Sequence, residues 1–247
     1  REDHIKTLLP DCTYRRTRWL DSRHARGTTL GGKMKTRERI IALAQARFNE
    51  FGYGNVTTAA LAAELGISEG NLWYHFKTKR HLLESISEEF IRYSNERLAL
   101  RPSSETDVIE GYIELMMAHE RELLLYRFLY RDQADYGGHS QIVLDNITGL
   151  YDKSRAQFRA FFTEMVRVGL LDWPEDRIDN LTVNAIILIR FGLEYLRETQ
   201  QAFDSSAVEQ TFLQHLTLFE HQLDPAAAKR LRDAAARLLT DSAARAT

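Results

Sequence analysis

Cysteine is nearly absent from the 247-residue chain. The single residue, Cys12, cannot form an internal disulfide, and no Cys/His group has the spacing of zinc ligands. A lone thiol suits a reducing compartment, so the expected location is the cytoplasm. Proline is scarce as well, at four residues, while Ala, Leu, Glu and Arg are abundant. That balance excludes a many-turned sheet and predicts an all-α fold of long helices. No apolar run approaches the roughly 20 residues of a membrane span; the longest, from Ala185 to Leu193, is broken by Arg190. There is no Gly-rich phosphate loop, no nucleophile elbow and no HExxH, and no pair of Glu-x-x-His segments sits on the candidate core helices. His119, His139, His215 and His221 are scattered and read as surface or hydrogen-bonded side chains rather than ligands. Neither an enzyme, a metal site nor a cofactor is expected.

Net charge is also small, with 33 Lys and Arg against 35 Asp and Glu, but its distribution is uneven. Residues 1–33 carry +4, residues 34–84 carry +2 and residues 85–247 carry −8. A basic part that meets a polyanion and an acidic part with another task follow from this asymmetry. The first 33 residues have irregular arginines and no sustained apolar period, so they read as a disordered basic extension with no secretory signal. The sharper expectation is a translated leader ahead of a native start at Met34. A basic arm along a nucleic-acid backbone is the alternative.

From Met34 the helical signals are clear. Ile40, Ile41, Ala44, Phe48 and Phe51 keep a helical period, and Gly52 stands where a left-handed C-cap is expected. Thr57 is placed to cap a second helix, with Val56 and Leu61 as a hydrophobic staple; this helix runs to about Leu65. Gly66 supplies the φ > 0 of a tight turn, and Ser68 caps a third helix with Ile67 and Leu72 as its staple. Two short helices meeting across three residues, with small Ala62 at the crossing, form a helix-turn-helix. Leu72 and Phe76 lie on the inner face of the third helix. Glu69, Gly70, Asn71, Trp73, Tyr74 and His75 crowd the segment with polar and planar groups, and Lys77, Lys79 and Arg80 follow. Such a helix suits a DNA major groove, with its N-terminal amides near phosphates.

Residues 34–84, above all Thr57-Thr58, Ala62 to Ser68 and Gly70 to Lys79 with its Tyr74-His75-Phe76 run, resemble the DNA-binding domain of the TetR family of bacterial transcriptional regulators. The resemblance implies an all-helical homodimer, with a three-helix DNA-binding domain at 34–84 and a regulatory ligand-binding and dimerisation domain at 85–247. It assigns phosphate or backbone contacts to Thr58, Ser68, Tyr74, His75 and Lys79, with Lys77 in the same basic cluster. Gly70, Asn71 and Trp73 fall on the base-facing edge. Glu69 either accepts from cytosine N4 or merely favours the helix dipole, and the dipole reading leads. For Trp73 and Tyr74, local packing and DNA contact both stay open. Lys35, Arg37 and Arg39 either touch the DNA backbone or form an exposed basic helix end.

Beyond residue 84 the pattern is helix after helix. Leu82, Leu83, Ile86, Phe90 and Tyr93 mark a long fourth helix that ends before Pro102. Ser104 is placed to cap a fifth through Tyr112, Ile113, Met116 and Met117, and Leu123 to Tyr130 reads as a separate sixth. The stretch Tyr126 to Asp132 also resembles the regulatory domain of one TetR-like group of bacterial repressors. A seventh helix runs from about Ser140 to Val168 and stops at Gly169. Residues 178–196 are apolar nearly all round, which calls for cover on two sides. Ser206 to Glu209 read as a capping box opening a helix with Phe212, Leu216, Phe219 and Leu223 on one face; with the preceding helix it would build a four-helix bundle about a twofold axis. Asp224-Pro225 opens a last amphipathic helix with Leu231, Leu238 and Leu239, placed either across the dimer or loosely outside.

For a small-molecule effector the candidate lining is Tyr112, Met116, Phe128, Phe158, Phe162, Arg190 and Tyr195. Plain core packing is the leading account of the aromatic and Met positions. Arg190, set among apolar residues, needs a partner: Glu194 at i+4 first, an anionic ligand second. The expected function is a homodimeric repressor on a pseudo-palindromic double-stranded operator, released by an effector, with no membrane partner. The alternatives are a helical sensor or architectural DNA binder without a strict operator, and a helical-bundle enzyme.

Overall fold

The computed structural model describes residues 35–103, 107–138, 140–199 and 205–244, with no side-chain detail at 193, 205–209 and 237–244. The expectations for residues 1–33, Met34, Ser104, His139, the Ser206 to Glu209 capping box, Leu238 and Leu239 lie outside the described residues or side chains. The fold is helical throughout: α1 (Thr36–Phe51), α2 (Thr58–Leu65), α3 (Glu69–His75), α4 (Lys79–Ala99), α5 (Val108–Arg131), α6 (Gln133–Tyr136), α7 (Gln141–Arg167), α8 (Ile178–Glu198), α9 (Ser205–Leu216) and α10 (Pro225–Ala244). Among the described residues, the extended pairing amounts to one isolated antiparallel bridge between Leu171 and Leu223.

The local signals set most boundaries. Thr57, Ser68 and Thr78 each accept a hydrogen bond from the amide three residues on, capping α2, α3 and α4. Gly66 closes α2 at φ 67°, ψ 33°, with Ile67 N–H returning to the Ala62 carbonyl at 3.0 Å. Gly52 has positive φ as expected, but its ψ of 148° sends the chain away extended rather than into a left-handed cap, and Phe51 turns outward under the Arg47 guanidinium.

Two element assignments and one placement need correction. The expected fifth and sixth helices are one helix, α5, with a break in helical geometry at Tyr126 (φ −124°, ψ 22°). Its N-cap is Asp107, whose carboxylate accepts from the Ile109 and Glu110 amides. The helix expected to carry Phe212 to Leu223 ends at Leu216; Phe219 and Leu223 are still buried, but on a turn and past a 3₁₀ segment. The last helix, capped by Asp224, packs against α9 and α5 of its own chain.

α5 runs through the middle of the larger part and is buried along most of its surface, with Glu110, Glu114 and Arg121 left exposed. Tyr112, Phe158, Phe161, Phe162, His215 and Phe219 form one aromatic cluster around it. α4, α5 and α7 are tied by the buried Arg97 guanidinium. It pairs with Glu122 at 2.9 Å, donates to Gln157 Oε1 at 2.8 Å and to the Ser154 hydroxyl at 3.0 Å, while the Tyr130 hydroxyl donates to the same carboxylate at 2.8 Å. α8 and α9 approach closely: a Cβ on Gly192 would lie 2.7 Å from Thr211 Cγ2.

Several core groups are ionisable. Burial lifts Glu120, whose carboxylate oxygens have no hydrogen-bond partner among the described residues, to about 8. Burial depresses His119 and His215, the latter to about 3, and His215 Nε2 lies 2.5 Å from the Tyr112 hydroxyl. A carboxyl raised on folding stabilises the fold fully below its unfolded value near 4.5, and that contribution is lost as pH rises towards 8. The depressed histidines act oppositely, stabilising fully above 6.5 and less as pH falls. Stability should therefore peak near pH 6.5, and in Glu120→Gln the loss of about 2 kcal/mol between pH 6.5 and 8 should vanish. Urea midpoints of both proteins at the two pH values test this, and an unchanged slope would count against the assignment.

Candidate nucleic-acid interface

α3 owes its position to its inner face. Leu72 and Phe76 are fully buried, and the Arg37 guanidinium stacks on Phe76 at 5.0 Å. With that face fixed, the other side chains of the helix have only one way to point. Trp73 is 47 % and Tyr74 77 % exposed, Asn71 stands in the open, and His75 packs its ring edge-on to Tyr74 at 5.3 Å. Gly70 is informative because nothing in the fold demands it: its φ is not positive, and an added Cβ would meet only the Ser68 hydroxyl, at 3.9 Å. A position without a side chain on the exposed first turn of α3 leaves room for an outside surface to approach the backbone.

The predicted contacts divide once the geometry is known. Ser68 spends its hydroxyl as the α3 cap, accepting from Asn71 N–H at 3.1 Å. Thr58 donates its hydroxyl to Glu69 Oε1 at 3.1 Å, which ties the first turn of α2 to the first turn of α3. Glu69 thus has a structural partner in addition to its place at the helix N-terminus. Of the basic cluster, Lys77 is exposed with no acidic or carbonyl partner among the described residues, whereas Arg80 pairs with Glu84 at 2.8 Å. Lys79 is turned inward. Its ammonium donates to the Tyr53 carbonyl and sits over the Tyr53 ring at 4.2 Å; burial lowers its pKa, partly offset by Asp135. Arg37 and Arg39 are also engaged within the chain, by the Ser85 hydroxyl and the Leu65 carbonyl.

The candidate effector lining is not brought together. Tyr112, Met116, Phe128, Phe158 and Phe162 are all buried, but Phe128 packs against Phe48 of α1, away from the Tyr112 cluster. Tyr195 is 58 % exposed on the outside of α8. Arg190 does not pair with Glu194, which is bound by Arg197 at 2.6 Å. It donates to the Tyr151 hydroxyl at 3.2 Å and lies over the Tyr130 ring at 4.6 Å, because a tertiary aromatic pair competes better than a neighbour on the same helix.

A set of residues that sequence reading did not single out joins α1 to α5. Arg131 donates to the Phe48 and Asn49 carbonyls at 2.8 and 3.0 Å, Arg127 also donates to Asn49 O, and Tyr53 N–H donates to Asp132 at 2.7 Å. Two guanidinium groups on the last carbonyls of α1 complement its negative dipole end. The only signal was the Tyr126 to Asp132 motif, which carries three of these residues.

Known proteins share both the sequence of the helix-turn-helix and the fold. Residues 40–86 match the family described as bacterial regulatory proteins, tetR family, and residues 73–231 match TetR, bacterial transcriptional repressor. The chain is 30 % identical to the nucleoid occlusion factor SlmA of Vibrio campbellii, over 60 % of this chain and 79 % of that protein. It is 34 % identical to the class D tetracycline repressor protein of Escherichia coli, over 37 % and 41 % of the respective lengths. A TetR-family transcriptional regulator from Marinobacter aquaeolei VT8 superposes with a TM-score of 0.71 at 24 % identity, covering 83 % of this chain and 99 % of that one. With a helix-turn-helix matched at one end and a family match over most of the length, the chain belongs to the TetR family of DNA-binding transcriptional regulators.

Proposed function

We propose that the protein is a homodimeric repressor that reads a pseudo-palindromic operator and leaves it when a small molecule reshapes residues 85–247. The observation that carries the reading is a pair of outward surfaces. One is α3, with Asn71, Trp73 and Tyr74 exposed on a helix whose other face is core. The other is an apolar stripe along α8, Val183, Ile187, Phe191 and Tyr195, four residues apart and 39 to 58 % exposed. The buried side of α8 carries Leu181, Ala185 and Ile189, so the helix has a filled inner face and an apolar outer one. A second copy of the same stripe, with Leu213 of α9 at its margin, is the self-complementary occupant of a twofold interface. Two recognition helices would then enter successive major grooves, with half-sites about one helical turn or somewhat more apart.

In this reading Asn71, Gly70 and Trp73 face base edges, while Tyr74, His75 and Lys77 lie along the backbone. Lys79 acts through the N-terminus of α4 that it begins rather than through its ammonium, which is held by Tyr53. Thr58 and Ser68 also take phosphate-side positions. Glu69, anchored to Thr58, keeps a negative charge at the groove entrance. An effector in the helical part near Tyr112, Met116, Phe158 and Phe162, which are packed core here, would have to favour a shape of the domain in which they part, and release then needs only different affinities for the two shapes.

Selection of bound duplexes from random DNA should return an inverted repeat. On that duplex Asn71→Ala should lose about 1–3 kcal/mol and relax preference at one position per half-site. Lys77→Ala should weaken selected and random duplexes alike and flatten the salt dependence by about one unit of slope. Equal losses from both variants on both duplexes would sink the division of roles.

Ile187→Glu and Phe191→Asp place charges on the stripe without touching the core. Sedimentation should show a dimer for the unaltered chain and a monomer for the variants, with operator affinity falling at least tenfold. The second reading is an architectural DNA binder without a strict operator. A specific-to-random affinity ratio near one would favour it.

A further inference from the structure

Helix breaks have identifiable causes: proline, Gly or Ser, a π-bulge, or a group inserted into the backbone ladder. The break in α5 has no local cause of the first kind. Glu122-Leu123-Leu124-Leu125-Tyr126-Arg127-Phe128-Leu129-Tyr130 contains no Pro, Gly or Ser, and its Glu, Leu and Arg extend a helix readily. The backbone groups flanking the break are instead taken by side chains from α1. Asn49 Nδ2 donates to the Leu125 carbonyl at 2.8 Å and lies 3.4 Å from that of Leu124, and Gln45 Nε2 donates to Leu125 O at 2.6 Å. On the other side of the break, Phe128 N–H donates to Asn49 Oδ1 at 3.0 Å. One amide side chain therefore supplies both the donor and the acceptor that an opened turn requires.

We propose that Asn49 of α1 wedges α5 open at Tyr126, and that this break is the joint coupling the DNA-binding helices to the rest of the chain: α5 is broken while α1 is docked and continuous when α1 withdraws. Asn49 is a positioning residue in this scheme, and Gln45 supports it. The two ring positions that the break re-aims carry the consequence in both directions. Tyr126 packs on Phe90 and Tyr93 of α4, at 5.2 and 6.0 Å between ring centroids. Tyr130 packs on Phe90, holds Glu122 and lies under the Arg190 guanidinium of α8. Closing the turn rotates both rings about the α5 axis, so α4 and the outer face of α8 are displaced together. Small rearrangements of a packed core become discrete in this way because an intermediate leaves backbone groups unsatisfied.

The test is made on the full chain labelled with ¹³C-tyrosine, with Tyr126→Phe identifying the signal of that residue. In Asn49→Leu, which matches the side chain in size but has neither donor nor acceptor, the Tyr126 Cα resonance should move into the helical range. Affinity for the duplex selected by the unaltered protein should fall at least tenfold. Asn49→Ala is the second variant should leucine prevent folding. A folded variant whose Tyr126 signal keeps its non-helical position overturns the proposal. So does loss of duplex affinity with that signal unmoved, since Asn49 would then be only a packing residue. The proposal rests on the DNA-reader function for its affinity arm alone. A protein that selects no duplex at all defeats that function, while the resonance still decides whether Asn49 holds the break.

Discussion

The structure depends on an ion pair removed from water. Arg97 and Glu122 are essentially inaccessible, and taking two such charges from water costs several kcal/mol each unless geometry and hydrogen bonds compensate. Here they do: the guanidinium meets a carboxylate, an amide oxygen and a hydroxyl, and the carboxylate receives a second donor from Tyr130. A network satisfied at every member admits few alternatives, because any shift of α4 along α5 or α7 breaks several charged contacts at once. The C-terminal end of α4 is thus pinned, and Gln157 reinforces it by donating to the Arg97 and Leu100 carbonyls at 2.7 Å. The N-terminal end of the same helix carries the turn from α3. A helix fixed at one end and bearing the recognition helix at the other transmits angle rather than displacement.

Most of what is local in this fold was legible in the sequence. Thr57, Gly66, Ser68 and Thr78 dictate their caps and turns through backbone groups within four residues, so the helix-turn-helix and the start of α4 follow from neighbours alone. What could not be read depended on partners far along the chain. The separate helices expected around Tyr112 and Tyr130 are one, because the connecting residues favour helix and the interruption comes from Asn49, 77 positions before Tyr126. Lys79 carries an ordinary phosphate-binding side chain by sequence, yet in the fold its ammonium is engaged by the Tyr53 carbonyl and ring, 26 positions earlier. Arg190 had a carboxylate at i+4, but Arg197 holds that carboxylate, and a tyrosine pair from α5 and α7 is available in space.

The outward surfaces share one construction. α3 and α8 each bury a strict face and leave aromatic side chains on the other, so neither surface needs a loop to present it. The exposed residues of α3 are held by Leu72 and Phe76, and the α8 stripe by Leu181, Ala185 and Ile189. Side chains carried on rigid helices lose little further freedom on contact, which favours recognition by fit over recognition by ordering.

The near-contact of Gly192 with Thr211 sets a different kind of limit. With only 2.7 Å between a would-be Cβ and a branched, buried methyl, any side chain at position 192 forces Thr211 or its helix to shift. The two helices therefore inherit their spacing as a unit. Mutational drift is free to recolour the outer stripe residue by residue, while the separation of the helices that display it stays constant.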